Sequence, residues 1–478
     1  MFPDRVAAFP RGDRHPSGVW VKRSLISTGA PGLLASLFLA AALIIGGGGS
    51  PSPFSEMLLQ GVLCAIAGCW LFCAGGPGFR NVPRSAFALS GLIVVLPVVQ
   101  LIPLPPMIWH NLPGRDLEVT VLGLVGAQDS WMPWSMSPPR TLASLLALLP
   151  PAFLVIMTSA LPRSGRTFAM TTVAIVALAA LALGAAQVAD GTDSIYRFYG
   201  RPEGNYVHGF QAGRNLSATV LLVGMIAVSA AMREWIGTRP YPVRPRLPMA
   251  ILAALELALV LGVLLTGSRA GAVLLAPAII AVLWISWPTA RHYLRWKLLA
   301  GMFVAVLAGS LVLWRSGFLD RALYRFSVIQ SETRPDIWTD TMRAAWLHFP
   351  FGSGMGTFTP MIYPTERLES LRDVLTNRAH NDYLELFLEA GLAGIAVLCA
   401  AVGLLAVTAW QHWNAVVRMP RSQLRFAIAS LLVVAAHSIV DYPLRSMSLA
   451  CVVAFCAGLL FPLRQPQPDG ASEGQEAG

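Results

Sequence analysis

Long apolar stretches constrain the fold of this chain more than any other feature of its sequence. A helix needs about 20 mostly apolar residues to cross the hydrocarbon core of a bilayer. Twelve stretches of this kind occur along the chain, at about 28–47, 56–75, 85–103, 142–161, 168–187, 213–232, 249–266, 271–288, 298–315, 386–409, 426–441 and 446–463. We therefore predict an all-α polytopic membrane protein with about 12 transmembrane helices.

The amino-acid composition supports this prediction. Of 478 residues, 55% are hydrophobic and only 13% are charged, whereas a soluble domain carries about 25% charged residues. This balance excludes a cytosolic enzyme, a disordered protein and a disulfide-stapled secreted domain. The formal net charge of +10 could suggest a nucleic-acid partner. Because the basic residues separate by membrane side, we expect no such partner.

The basic residues also predict the orientation, since cytoplasmic loops are enriched in Lys and Arg. A cytoplasmic N-terminus puts most of the basic connecting segments inside and Asp116, Glu118, Asp190 and Asp193 outside. Both termini are then cytoplasmic. The predicted organisation is a basic N-terminus (1–27), nine spans (28–315), a large periplasmic loop (316–385), three spans (386–463) and a disordered cytoplasmic tail (464–478).

Three of the predicted outer segments are rich in polar or aromatic residues. Residues 104–141 contain Trp109, Trp131 and Trp134, which either form an interfacial aromatic belt or stack on sugar rings. Residues 188–215 mix Gly, Tyr, Arg and Asn without an apolar period. The loop 316–385 is too long for an idle connection between two spans.

Two motifs lie within the long loop. Thr333 and Asp336 predict a capped helix whose apolar positions, Trp338, Met342, Ala345 and Trp346, have helical spacing. Such a helix would lie on the membrane surface or cover a cavity. The following PFGSGMGTF sequence is either a flexible turn or a place where backbone approaches a ligand closely.

The sequence NRAHNDYLELFLEAGLAG predicts the start of a helix that continues into the tenth span. Asp382 and Glu385 fit a capping box, and Glu385 and Glu389 share one helix face. A helix start attracts phosphate and disfavours an imidazolium. His380, just before this helix, is therefore either a neutral base able to accept a proton or an ordinary surface histidine.

Two further polar features interrupt apolar sequence. Arg269 occupies the turn of a tight hairpin, LLTGSRAGAVLL, at the predicted outer face. A guanidinium there suits an anionic lipid head group or a pyrophosphate, the alternative being an arginine that snorkels to the interface. His437 and Asp441 lie four residues apart in the eleventh stretch. They form either a structural hydrogen bond or the floor of a site.

Taken in order, these motifs resemble the O-antigen ligase family and its superfamily of O-antigen polymerases and protein O-oligosaccharyltransferases. The resemblance is carried by WMPWSMSPPRTLASLL, TGSRAG, TRPDIW, PFGSGMGTF, HNDYLELFLEAGLAG and HSIVDYPL, over roughly residues 130–460. It implies a helical membrane fold of the GT-C type in the bacterial inner membrane, with its active face in the periplasm.

The resemblance also implies a chemistry and a set of site residues. The donor would be a glycan on undecaprenyl pyrophosphate, transferred without a metal or a nucleotide sugar. Arg269 and Arg334 match the arginines thought to hold the pyrophosphate, and His380 matches the expected base. The family's G-x-F-x-N-x-N pattern departs here to GNYVHGFQAGRN. This departure leaves the roles of Arg214 and Asn215 open. Further supporting candidates are Arg378, Asn381, Tyr383, Glu385, Glu389, His437 and Asp441.

These observations lead to one preferred function and two alternatives. The preferred function is a glycosyltransferase that moves the lipid-linked glycan to lipid A–core, with inversion at the anomeric carbon. The first alternative is a polymerase of O-antigen or exopolysaccharide. The second is a transporter of the same lipid-linked glycan, which should carry charges at the midplane of several spans and show internal repeats.

Overall fold

The computed structural model describes residues 18–48, 53–80, 82–199, 204–237, 246–290, 334–370, 375–415 and 419–461. The predicted span at 298–315, Thr333, most of the segment 1–27 and the tail at 464–478 lie outside these residues.

The described residues form helices joined by short connections. The first long helices are α1 (Gly18–Ile45), α2 (Pro53–Arg80) and α3 (Arg84–Gln100). Two short helices follow, α4 (Pro106–Trp109) and α5 (Asp116–Leu124). The next long helices are α6 (Pro138–Ser159), α7 (Arg163–Asp190), α8 (Arg214–Gly237), α9 (Arg246–Leu265) and α10 (Arg269–Ala290). The C-terminal part contains α11 (Arg334–Leu347), α12 (Phe358–Ile362), α13 (Asp382–Asn414), α14 (Arg421–His437) and α15 (Met447–Leu459). One antiparallel pair, β1 (Pro103–Leu104) with β2 (Met132–Pro133), completes the structure.

The helices agree with the predicted all-α membrane architecture. Eleven of the twelve predicted stretches coincide with a helix, and eight helices are long and apolar enough to cross a membrane. Three shorter helices, α3, α14 and α15, coincide with the remaining described stretches. The chain is thus an all-α polytopic membrane protein in its described part, while the total of 12 spans stays a prediction.

The prediction for the eleventh span needs a correction. We placed it at 426–441, but α14 runs from Arg421 to His437. Asp441 therefore lies in the turn between α14 and α15, where its backbone N–H still donates to His437 O at 3.0 Å. Pro443 follows in this turn and cannot donate a helical hydrogen bond, so a regular helix could not run on through this position.

Helix α8 lies at the centre of the bundle. Its side chains are buried almost throughout, and it contacts α7, α9, α10 and α14. Small residues permit this packing, since a Cβ atom at Gly224 would lie 2.4 Å from Ala177 Cβ. The first turns of α8 contact the turn before α10 and the end of α14, and these three parts of the chain belong to the candidate site.

Helix α13 is interrupted after two turns. Gly391 has φ 53° and ψ −140°, so the chain leaves helical geometry there and then resumes it. The break exposes backbone groups that the PFGSGMGTF segment (350–358) satisfies: Leu392 N donates to Pro350 O, Ser353 N to Leu388 O and Gly354 N to Glu389 O, at 2.8–3.0 Å. The segment therefore completes the hydrogen bonding of the interrupted helix.

The three glycines of this segment differ from both roles that we considered for them. Gly352, Gly354 and Gly356 all have positive φ, and each packs against protein atoms of α13 or of residues 135–144. A Cβ at Gly352 would lie 2.6 Å from Ala390 N. Their backbone approaches another part of the chain rather than a ligand, and it is held by the hydrogen bonds to α13 rather than forming a free turn.

We predict that Gly391→Ala strongly destabilises the protein. A Cβ there would lie 2.1 Å from Pro350 O, in a backbone conformation that costs a non-glycine residue about 1–2 kcal/mol before any clash. Gly403→Ala in the same helix is the matched control, because its Cβ would meet nothing within 4 Å. Thermal unfolding in detergent should show a clear fall for Gly391→Ala and none for Gly403→Ala. Equal melting temperatures would contradict the strained break.

Candidate active site

The start of α13 is fixed by a cap that differs from the predicted one. Asn381, not Asp382, is the N-cap, and its side chain accepts hydrogen bonds from Tyr383 N and Leu384 N at 3.0 Å each. The side chain of Glu385 does not close a capping box. It accepts from Ala379 N at 3.1 Å and from Arg378 at 2.8 Å, and so stabilises the segment that precedes the helix.

His380 sits in this preceding segment in a strained conformation. Its φ of 50° makes it the one non-glycine residue with positive φ among those described. Its Nδ1 lies 3.1 Å from Asp441 Oδ1, and its ring packs edge-on against Tyr442 with a centroid distance of 4.9 Å. The side chain is 29% exposed. Strain of this kind persists where surrounding contacts over-determine it, often at functional sites.

Asp441 is suited to act as an anionic partner of His380. Burial alone would raise the pKa of this carboxyl, but the hydrogen bond and charge of His380 act in the opposite direction, as do His437 and Arg334. The pKa of Asp441 consequently lies below its usual value. The carboxylate is thus available to accept Nδ1–H of His380, which leaves Nε2 as the nitrogen that can accept a proton.

A buried ion cluster holds the start of α13 against the α14–α15 turn. Arg445 Nη2 lies 2.8 Å from Glu389 Oε2, and its Nε lies 3.4 Å from Glu385 and 3.9 Å from Asp382. Arg378 adds a second cation to Glu385 at 2.8 Å. The side chains of Glu385 and Glu389 have no exposed surface, so these cations compensate charges that water cannot reach.

Further hydrogen bonds join the same two parts of the chain. Asp382 N donates to Ser438 O at 3.0 Å, and Asp382 Oδ2 accepts from Ser438 Oγ and from Leu444 N. Tyr383 Oη donates to Ala435 O at 2.8 Å. These contacts set the position of His380 relative to Asp441, although the two residues are separated by 61 positions in the sequence.

Arg334 begins α11 beside this pair. It is near enough for its charge to act on His437, Asp441 and Tyr442. The helix itself was predicted. Its inward face consists of Asp340, Thr341, Ala344 and Ala345, while Met342 and Trp346, two of the predicted apolar positions, are exposed. The reason is a polar contact, since Asp340 accepts hydrogen bonds from Arg367 at 2.6 Å and from Ser370 at 2.5 Å.

The Arg269 hairpin is tied to the first turn of α8. Ser268 Oγ donates to Asn215 Oδ1 at 2.7 Å and accepts from Gly271 N at 3.0 Å, which caps α10. Arg269, half-buried, is the first residue of α10. Asn215, whose role the sequence left open, thus positions the hairpin turn. Arg214 instead lies over the ring of Tyr206, 5.7 Å from its centroid.

His437 connects α8 to Asp441. It is fully buried, with Nδ1 2.5 Å from Thr219 Oγ1 and Nε2 3.9 Å from Asp441 Oδ2. Thr219 lies one helical turn after Asn215. Its hydroxyl oxygen is also 3.0 Å from the backbone carbonyl oxygen of Asn215. A series of polar groups therefore leads from Ser268 beside Arg269 to His380, with one gap of 3.9 Å between His437 and Asp441.

The described parts of the loops that we predicted to be external hold fewer candidate groups than the sequence suggested. Trp109 is fully buried and its Nε1 donates to Ser130 O, so it belongs to neither an aromatic belt nor a sugar platform. Trp134 is partly buried against Phe351, and Trp131 is 64% exposed. The loop after α7 folds around Gln187, which bonds Tyr196 O, Gly209 O and Gly209 N at 2.9 Å.

Sequence reasoning missed several residues that build the site. Thr219 and Ser268 are ordinary helix and turn residues by pattern, so no signal marked them. Arg445 could have been predicted from the sequence. A lone arginine in the apolar sequence DYPLRSMSL requires a partner, and Glu385 and Glu389 were already identified as candidates.

We predict that Arg445→Met destabilises the protein by about 3–5 kcal/mol, because it leaves Glu385 and Glu389 buried without this cation. Arg445→Lys keeps the charge but not the planar fork, so it should cost less. Thermal unfolding in detergent measures both. If the methionine variant were as stable as the natural protein, the ion cluster would not hold α13 in place.

Comparison with known families agrees with the motifs. Residues 253–399 match the family model described as O-antigen ligase, a segment that includes Arg269, Arg334, His380, Glu385 and Glu389. Among curated proteins, none matches the chain. The match supports an enzyme of ligase or polymerase type with lipid-linked glycan substrates in a membrane. The predicted resemblance is thereby confirmed: the match over residues 253–399 supports the O-antigen ligase and polymerase superfamily.

Proposed function

We propose that this protein is an inner-membrane glycosyltransferase that moves a glycan from undecaprenyl pyrophosphate to a periplasmic acceptor, namely lipid A–core. The observation that carries the proposal is the His380–Asp441 pair at 3.1 Å, within range of the charge of Arg334. This arrangement combines a base, an anion that orients the base, and a cation. A one-step displacement of a diphosphate requires these three groups.

In the proposed reaction, His380 acts on the acceptor. Its Nδ1–H donates to Asp441, and its Nε2 takes the proton of an acceptor hydroxyl. The hydroxyl oxygen forms a bond to the anomeric carbon while the bond from that carbon to the phosphate oxygen breaks. The electron pair leaves with undecaprenyl pyrophosphate, and the anomeric configuration inverts.

The leaving diphosphate needs positive charge, which we assign to Arg269 and Arg334. Guanidinium groups bind phosphate oxygens bidentately and stay ionised at all physiological pH values. The assignment of Arg334 is supported by the effect of its charge on Asp441 and on His437. Arg269 is supported by its position in the hairpin that Asn215 and Ser268 hold. In this scheme, the arginines supply the charge stabilisation that metal ions supply in other enzymes.

A polymerase that extends O-antigen or exopolysaccharide is the closest alternative, because it would use the same donor and the same three residues with a growing glycan as acceptor. A transporter is favoured less. The buried Glu256 of α9 accepts a hydrogen bond from Ser229 at 2.8 Å within the bundle, while the cluster around His380 lies at one end of the helices, as expected of a one-sided enzyme.

We predict that His380→Asn and Asp441→Asn each lower glycan transfer about 10²- to 10⁴-fold. Asparagine tolerates positive φ better than most residues, so the backbone at position 380 should keep its conformation. Lipopolysaccharide gels of cells that carry each variant provide the measurement. Loss of long chains with accumulated lipid-linked glycan indicates a ligase, whereas lipid A–core with a single repeat unit indicates a polymerase.

The matched control is His110→Asn, which removes another loop imidazole, one whose Nε2 lies 2.9 Å from Gln128 O in an exposed position. It should give normal banding. Arg269→Gln and Arg334→Gln should behave like His380→Asn if they bind the diphosphate. Normal banding for all four site variants, at normal protein levels in the membrane, would exclude the proposed function.

A further inference from the structure

The imidazole of His437 has a polar neighbour at each nitrogen, and the reaction described above uses neither of these neighbours. Thr219 Oγ1 lies 2.5 Å from Nδ1, and Asp441 Oδ2 lies 3.9 Å from Nε2. The second distance is long for a hydrogen bond. Nε2 makes no hydrogen bond within the part of the chain that the structure describes.

The hydrogen atoms of this group can be arranged in only a few ways. The Thr219 hydroxyl has one hydrogen, and Asn215 O, 3.0 Å away, can only accept. If the hydroxyl donates to Asn215 O, His437 Nδ1 must carry a hydrogen and donate to Thr219. Nε2 then presents either a lone pair or, in the imidazolium, an N–H. If the hydroxyl donates to Nδ1 instead, Nε2 carries the hydrogen.

The charge of Asp441 selects among these arrangements. A lone pair on Nε2 that faces a carboxylate is repelled by it, whereas an N–H is attracted. Both favoured arrangements therefore direct an N–H of His437 at Asp441 Oδ2. Asp441 is then shared between two imidazoles, with Oδ1 towards His380 and Oδ2 towards His437.

We propose that His437, held by Thr219, is a positioning residue that keeps Asp441 turned towards His380 and takes up part of the carboxylate charge. The charge of Arg334 acts on both His437 and Asp441, and His380 acts on Asp441. This inference rests on the proposed function only for its consequence in catalysis. The arrangement itself can be tested without any transfer reaction.

The same turn of α8 also reaches the Arg269 hairpin. Asn215 bonds Ser268 through its side chain and Thr219 through its carbonyl, so one helical turn sets both the hairpin and His437. A variant that disturbs His437 should therefore leave the hairpin intact as long as Asn215 is unchanged.

The first experiment measures the titration of His380 directly. Diethyl pyrocarbonate modifies neutral imidazole, and peptide mass spectrometry reports the modification of His380 across a pH series in the intact protein in nanodiscs. His437→Leu leaves more of the Asp441 charge acting on His380. The midpoint of modification should therefore rise by about half a pH unit. Asp441→Asn removes that charge, so the midpoint should fall.

Two more conservative variants keep the test valid if His437→Leu fails to fold. His437→Gln keeps an N–H donor, so it should shift the midpoint less than His437→Leu. Thr219→Val should shift it in the same direction as His437→Leu but by less. Thr172→Val is the matched control, because Thr172 makes the same type of bond to a carbonyl four residues earlier, Phe168 O, at 3.1 Å. It should leave the midpoint unchanged.

The second experiment adds the proposed reaction, with undecaprenyl-pyrophosphate glycan extracted from the source cells and rough lipopolysaccharide as acceptor. His437→Leu and Thr219→Val should lower kcat about 10-fold to 100-fold with little change in KM, and should move the acid limb of the pH profile to higher pH. A midpoint of His380 that neither variant moves would overturn the positioning role. Inactivity of the natural protein in this assay would count against the proposed function alone, since the modification experiment stands without it.

Discussion

The ion cluster of Arg445 with Glu385, Glu389 and Asp382 is the interaction on which the site depends. These carboxylates all belong to the first two turns of α13, while Arg445 belongs to the turn between α14 and α15. Because Glu385 and Glu389 are fully buried, separating the two parts would leave charges without compensation. The position of His380 against Asp441, at 3.1 Å, follows from this constraint.

The same part of α13 is also stabilised from the other side. The break at Gly391 accepts the segment 350–358, and Gln100 of α3 joins them, since its Nε2 donates to Glu389 O and its Oε1 accepts from Met355 N. Thr141 in turn donates to Met355 O at 2.8 Å. Motifs that lie far apart in the sequence thus form one support beneath the strained His380. A rigid support suits a base that must meet its substrate in a defined orientation.

Much of the architecture could be predicted from the sequence because the bilayer imposes a simple rule on helix length and polarity. The starts of α11 and α13 were also predictable, from Asp336 and from the residues around Asp382. What could not be predicted was contact between distant positions. Trp109 was assigned to an interfacial belt or a sugar platform, yet it is buried. The inward face of α11 around Asp340 and Thr341 was not predicted either. In each case, a polar contact or local packing outweighed the apolar pattern.

The candidate site shows the same division. The cost of a charge among apolar residues marked Arg269, and the position just before a helix start marked His380. Arg334 was proposed only because it matches the arginine of the family that the motifs resemble. The pairing of His380 with Asp441 and of Asn215 with Ser268 required the folded chain. A periodic pattern contains no information about which side chains, 61 or 53 positions apart, face one another.

The most direct test of this account is a cryo-electron microscopy structure of the protein in nanodiscs with its undecaprenyl-pyrophosphate glycan bound. We expect the diphosphate within ion-pair distance of Arg269 and Arg334, and the anomeric carbon on the side of His380 that bears Nε2, while Nδ1 keeps its contact with Asp441. A diphosphate bound away from both arginines, or a His380 whose Nε2 faces away from the glycan, would contradict it.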